Sequence, residues 1–264
     1  MSAAQQPSGR PTDIYFFATC VVDQFFPGAG LDAITLLERQ GIRVHFPEEQ
    51  TCCGQPAYTS GFPDEARKVA AHQLTLFPEN WPVVVPSGSC AGMMKHHYPM
   101  LFAADPLRQP QAAALAKRIY ELTDFLVNVL DYQPQDLGTE CTIVLHTSCS
   151  ARREMGVHLT GRKLLAGLGQ VKVAQQDHEA ECCGFGGTFS LKQPEISGAM
   201  VEDKVNSLQA TGAERVVSAD CGCLMNILGH ATWRDQQAGR KKPSLPGEHI
   251  ATFLLRRTEK GSAQ

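Results

Sequence analysis

The stretches "QTCCGQPAY" and "ECCGFGGTF" each place two adjacent cysteines before a glycine: Cys52, Cys53 and Gly54, then Cys182, Cys183 and Gly184. Further cysteines flank both in the same order. Cys20 precedes the first pair by 32 positions and Cys149 precedes the second by 33. Cys90 follows Cys53 by 37 positions, while Cys221 and Cys223 follow Cys183 by 38 and 40. Four features matched in order mark an internal duplication. Three chemistries suit clustered thiols. A structural zinc site wants four ligands, usually from paired Cys-x-x-Cys knuckles, which neither half contains. Disulfide exchange needs only two thiols and leaves Cys20, Cys90, Cys149 and Cys223 unused. An iron–sulfur cluster spans several metal atoms, so neighbouring thiolates can bind different irons, and glycine after each pair permits a positive φ or close backbone approach. The iron–sulfur reading is preferred; zinc and a dithiol or plain buried thiols are its rivals.

The elements around the cysteines repeat as well. "DIYFFATC" and "TIVLHTSC" read as buried strands running into a cysteine-bearing loop. Helical stretches follow ("GLDAITLLERQG", "TGRKLLAGLGQ"), then short strands ("IRVHF", "VKVAQ"), the CCG loops, second helices, and third strands ("WPVVVPSG", "AERVVSAD"). The expected fold class is α/β, a tandem duplication of a Rossmann-like parallel-sheet lobe, each copy with one CCG motif. The first lobe is expected over 12–102 and the second over 140–256. An amphipathic connecting helix is expected within 103–139, with Leu115, Ile119, Leu122, Leu126 and Val129 on one face. Tails at 1–11 and 257–264 are expected to be disordered. Ligands of open parallel sheets sit beyond the carboxyl ends of the strands, where all nine cysteines of the repeats fall.

Composition bounds the rest. The chain has 264 residues, enough for two lobes, and its net charge of −3 gives no electrostatic case for nucleic acid or an anionic membrane. No secretory h-region and no apolar run of about 18 residues is visible, so a cytoplasmic protein without an integral membrane segment is expected. Ten cysteines in a reducing compartment point to metal or redox chemistry rather than a disulfide frame.

Several neighbours of the cysteines have two readings. His146, Arg152 and Arg153 flank Cys149 and could bind the carboxylate or handle the proton of a 2-hydroxy acid; a backbone-satisfied histidine and solvent-facing arginines are the preferred reading. His96 and His97 read as a surface pair. The loop from Gly184 to Ser190 lacks the lysine of a P-loop, and its Gly184, Gly186 and Gly187 are better assigned, with Gly54, to wrapping a cluster. Lys204 reads as solvated, Cys141 as structural, and Met93, Met94, Leu224 and Met225 as core.

On "CCGQPAY", "VPSGSCAGM", "CCGFGGTFS" and "ADCGCLMNI" the chain resembles the CCG-domain (cysteine-rich domain) family of iron–sulfur oxidoreductase subunits. That family includes the CCG subunits of heterodisulfide reductase, glycolate oxidase and anaerobic glycerol-3-phosphate dehydrogenase. The resemblance covers about residues 13–255 and runs to the short, two-domain lactate-utilisation subfamily. It implies a subunit of a system oxidising L-lactate to pyruvate, with a ferredoxin-like iron–sulfur subunit and a smaller third subunit as partners. Any attachment to the inner face of the membrane would come through those partners. It implies clusters of the 4Fe-4S type, noncubane in the second lobe with Cys149, Cys182, Cys183, Cys221 and Cys223 as ligands. Glycolate, glycerol-3-phosphate or a disulfide as substrate, or a non-catalytic zinc or thiol scaffold, are the alternatives. Two departures stand out. The family's closing Cys-x-x-Cys is Cys221-Gly222-Cys223 here, and the first lobe has only Cys90, with Gly92 where a second thiol would stand. The first-lobe set of Cys20, Cys52, Cys53 and Cys90 therefore leaves a four-liganded cluster, a different type, or none; whether Cys221 or Cys223 corresponds to Cys90 is open.

Overall fold

The computed structural model describes residues 9–259. Two four-stranded, all-parallel sheets form, with strands β1 (Asp13–Phe16), β2 (Arg43–His45), β3 (Val83–Val85) and β4 (Ile119–Glu121) in the first. The second has β5 (Cys141–His146), β6 (Val171–Ala174), β7 (Arg215–Ser218) and β8 (Gly247–His249). The strand orders are β2-β1-β3-β4 and β6-β5-β7-β8, the same path drawn twice. Registers match too: Tyr15 and Phe16 face Val83 and Val84 as Val144 and Leu145 face Val216 and Val217. The chain is an α/β tandem duplication.

The inner strands are apolar over most of their length because helices cover both faces of each sheet. Val83, Val84 and Val85 are all fully buried, as are Ile143 and Val144. One apolar cluster crosses both lobes, joining Ile14, Phe16 and Leu36 to Leu145, Leu165, Phe253 and Leu254. Helix Ile250–Arg257 of the second half packs on helix Pro27–Arg39 of the first, and helix Gly88–Gly92 packs on helix Cys149–Met155. The lobes share a core, so their relative placement is fixed by burial rather than by a linker.

Two expectations are corrected. The segment 103–139 is not one amphipathic helix. It holds helix Arg108–Ala116, then strand β4, then helical turns from Leu122 to Val129. Ile119 and Glu121 enter the first sheet beside β3, and the buried Glu121 carboxylate accepts from Thr123 N at 2.7 Å and Asp124 N at 3.1 Å, which starts the next helix there. His249 does the same at the end of β8, accepting from Ala251 N. The described parts of the expected tails are also ordered. Arg10 donates to Gln40 O at 2.7 Å. Arg257, 3% exposed, pairs with the buried Asp136 at 2.7 Å and donates to Thr139 O at 2.6 Å. The remainder of both tails lies outside the described residues.

Arg257→Ala would leave Asp136 charged and buried without its partner. A loss of about 3–5 kcal/mol in urea unfolding is expected. A loss below about 1 kcal/mol would show that the pair does not anchor the C-terminal helix.

Candidate metal centre

Cys20 opens helix Cys20–Phe25 directly after β1, and Cys149 opens helix Cys149–Met155 directly after β5. The CCG loops follow β2 and β6. Cys90 and Cys223 lie in the helices that begin after β3 and β7. All are at the carboxyl ends of their strands, at the crevice where the strand order reverses. In each lobe four thiols lie in a series in which each shifts its neighbour's ionisation: Cys20–Cys52–Cys53–Cys90, and Cys149–Cys182–Cys183–Cys223. The lobes face each other, and one cavity of about 570 Å³ between them is lined by all nine cysteines.

The matched registers settle which cysteine corresponds to Cys90. Counting from the paired strands, Ser87 falls on Asp220, Gly88 on Cys221 and Cys90 on Cys223. Cys221 is the extra thiol. It packs with Val22 and Ala29 of the first lobe, and burial, with the Asp220 charge beside it, pushes its thiol up. Gly92, the other point of departure, lies against the Glu154 side chain of the second lobe, which occupies the space any Cβ at 92 would need.

The glycine of each CCG motif has two tasks. Gly54 and Gly184 adopt φ of +85° and +81°, and each donates its N–H to the first sulfur of its pair, Cys52 or Cys182, at 3.4 Å. The close approach they permit is to a helix backbone: a Cβ on Gly184 would stand 2.7 Å from Ser197 O, and one on Gly54 3.3 Å from Ala66 O. Gly186 and Gly187 also have positive φ and line the cavity, Gly187 against Pro56 of the opposite CCG loop.

The electrostatics favour one thiolate per lobe. Hydrogen bonds from Cys20 and Cys149, then from Cys53 and Cys183, hold the Cys52 and Cys182 thiols well below the ordinary value, and push Cys20 and Cys149 up. Thiolate is the form that binds metal.

The flanking residues divide. His146 is 1% exposed, and neither ring nitrogen has a hydrogen-bond partner among the described residues, against the expectation of a backbone-satisfied histidine. Its ring nitrogen and the sulfurs of Cys183 and Cys223 lie within 4.8 Å of one another. Burial, then the Lys204 charge, lowers its pKa to about 3, so the imidazole is neutral. Lys204 is not solvated: it is 2% exposed and donates to His178 O at 2.7 Å, with Cys182, Cys183 and Cys223 among its charge neighbours. Arg152 is engaged by Glu179 at 2.5 Å, whereas the exposed Arg153 lines the cavity beside Cys149. His96 is exposed, as expected of a surface residue; His97 instead lines the cavity, 3.4 Å from Glu154 Oε1 and packed on the Tyr58 ring. Cys141 packs on the shared core, and Met93, Met94 and Leu224 are fully buried.

Sequence reasoning passed over several positioning groups. Tyr98 OH donates to Cys53 O at 2.9 Å, and Asn226 Nδ2 to Cys183 O at 2.8 Å, so each vicinal pair has its carbonyl held by the helical segment that follows the third strand. Asp220 accepts from Ser87 and Ser89 across the lobe interface. Its place immediately before Cys221 was the available signal.

This geometry agrees with the comparisons. The cysteine-rich (CCG) domain model matches twice, at residues 14–95 and 143–228. Lactate utilization protein A of Shouchella clausii is 46% identical over 244 residues, spanning 92% of this chain and 98% of that protein. The Bacillus subtilis protein of the same name is 43% identical over 241 residues, 91% of this chain and 98% of that one. The chain belongs to the lactate utilization protein A family of CCG proteins. Among solved structures, a hypothetical protein from Helicobacter pylori aligns with a TM-score of 0.67 at 11% identity, over 99% of this chain and 52% of that one. That likeness is one of fold. The two matched CCG copies coincide with the two lobes, and the cavity between them is what the doubling builds here.

Gly184→Ala is expected to cost about 1–3 kcal/mol and to loosen the second CCG loop, because it meets both the positive φ and the Ser197 carbonyl. Gly54→Ala, with more room, should cost less. Equal urea midpoints for the two variants would refute the close-approach account.

Proposed function

We propose that this chain is the iron–sulfur subunit of a lactate-oxidising system, taking electrons from L-lactate as it becomes pyruvate and passing them to partner proteins. The observation that carries the reading is the single cavity lined by nine cysteines, four from the first lobe and five from the second. The donor set fits the group. Sulfur is the preferred ligand of iron–sulfur clusters, and vicinal thiols suit a multi-iron core better than one tetrahedral ion. Cys20, Cys52, Cys53 and Cys90 would hold a cluster in the first lobe; Cys149, Cys182, Cys183 and Cys223, with Cys221 close by, would hold one in the second. When bound, such clusters supply one-electron acceptance and storage.

The chain's own residues provide the rest. Arg152 is committed to Glu179, which leaves Arg153 at the cavity rim as the guanidinium for the substrate carboxylate. His97 and Glu154 both line the cavity, with His97 Nε2 3.4 Å from Glu154 Oε1, a pair suited to receive the hydroxyl proton. Oxidation of a 2-hydroxy acid to a 2-oxo acid releases two electrons and two protons, so an outlet for electrons is required. The lactate assignment draws on the relatives' name, and with it come the proposed partners, a ferredoxin-like iron–sulfur subunit and a smaller third subunit. No helix among the described residues is long and apolar enough to cross a membrane.

Anaerobic purification with iron and acid-labile sulfide counts, and EPR of oxidised and reduced samples, tests the reading. Several irons per chain are expected, with a signal altered by Cys182→Ser. Zinc alone, or no metal in a folded anaerobic sample, would overturn it. With both partner proteins added, Arg153→Ala is expected to raise the KM for lactate roughly tenfold to a hundredfold, as loss of a charge-assisted contact does. An unchanged KM would remove Arg153 from the site.

A further inference from the structure

The two lobes repeat each other closely enough to be compared residue by residue, and at the sulfur sites they differ. Aligning β1 on β5 through their registers places Phe17 opposite His146, three residues before Cys20 and Cys149. Both side chains are buried, Phe17 fully and His146 to 1% exposure. Phe17 packs with Tyr15, Cys53, Phe77 and Val85 in the first-lobe core. His146 occupies the corresponding space with two nitrogens that find no hydrogen-bond partner among the described residues. Leaving such a group buried and unpaired is costly, and the apolar alternative stands in the other lobe. The nitrogens are not randomly placed: the ring meets Cys183 and Cys223 Sγ within 4.8 Å, the spacing of donors around one metal ion.

We propose that His146 supplies a nitrogen ligand to the second-lobe metal centre, beside Cys183 and Cys223, so that the two lobes hold unlike centres. The inference rests on the iron–sulfur reading above. Metal coordination satisfies the orphaned imidazole, which the hydrogen-bond network does not. Imidazole binds as a neutral ligand, so it brings a donor atom to the centre without the negative charge that a further thiolate would add. The first lobe, with Phe17, has no equivalent donor. The second-lobe centre therefore differs from the first in its donor atoms.

The test uses the full chain, purified anaerobically, with 15N-labelled histidine against an otherwise 14N background, and pulsed EPR of both oxidised and reduced samples. A strongly coupled nitrogen that changes from 14N to 15N is expected. His146→Phe, which copies the first lobe, should lose that coupling and keep the sulfide-containing centre. His97→Gln, on the first-lobe side of the cavity, should retain the coupling. Iron and sulfide present with no histidine-derived coupling in the wild type would overturn the inference and leave the iron–sulfur reading standing. So would a coupling that survives in His146→Phe. A chain with neither iron nor sulfide would overturn both. The labelled wild type decides the matter even if the phenylalanine variant fails to fold.

Discussion

The cavity depends on one buried carboxylate. Asp220 accepts from Ser87 Oγ at 2.8 Å, Ser89 Oγ at 2.7 Å and Ser89 N at 3.3 Å, and also from Ser148. Ser89 and Ser148 directly precede Cys90 and Cys149, and Asp220 itself immediately precedes Cys221. A single side chain thus ties together three of the loops that carry sulfur, two from one lobe and one from the other. Burial pushes the Asp220 carboxyl up while the hydroxyls oppose that shift. A group so enclosed is tolerable only because nearly every lone pair is used. Gly88 belongs to the same junction, since any side chain there would collide with Ala151 and Val157 of the opposite lobe.

Around that junction the shared apolar core sets the distance between the sheets. Helix Ile250–Arg257 closes over helix Pro27–Arg39, and Thr252 donates to Asp32 at 2.5 Å across the seam. With the seam packed, the carboxyl ends of both sheets are held face to face, and loops that would each be an open crevice in a lone lobe become two walls of one chamber. The CCG loops complete it from above: Gly187 lies on Pro56, and the Ser60 and Thr188 hydroxyls hydrogen-bond. A packed scaffold with converging loops is what a site of fixed donor geometry requires.

Much of this was legible in the sequence because its strongest signals were periodic or chemically rare. Apolar runs such as "IYFF" and "IVLH" give buried parallel strands, and nine cysteines in two matched series reveal both the duplication and the end of the sheet that matters. What was missed has a physical cause in each case. β4 and β8 are three residues long, too short for a pattern, and β4 was absorbed into a helical stripe because Ile119, Leu122 and Leu126 also fit a period of 3.6. Lys204 was read as solvated because lysine usually is; its burial follows from a tertiary contact with the His178 carbonyl. His146 ends strand β5, where either a core or a site role fits the pattern, and only the lack of a partner among the described residues separates them. Cys90 could be slid onto two cysteines until strand registers fixed the offset.

The duplicated lobes diverge in a way that separates scaffold from chemistry. Strand order, registers, the positive-φ glycines of the CCG motifs and the four-thiol series recur unchanged. The replacements cluster on the walls around the second series. His146 replaces Phe17, Cys221 replaces Gly88, and along the helices after the CCG loops, starting from Pro63 and Pro194, Lys204 replaces Gln73. Two of the three add a donor atom near sulfur and the third adds a buried cation facing it. Gln73 in the first lobe does the neutral version of the task, donating to Thr51 Oγ1 at 2.7 Å. Burial lowers the Lys204 pKa, while Glu181 first and then the Cys183, Cys223 and Cys182 sulfurs oppose that shift. Packing constraints therefore held both copies to one backbone, while the side chains that set charge were free to differ. The second lobe thus surrounds its sulfurs with an imidazole, a further thiol and a buried lysine where the first lobe has a phenyl ring, a glycine and an amide.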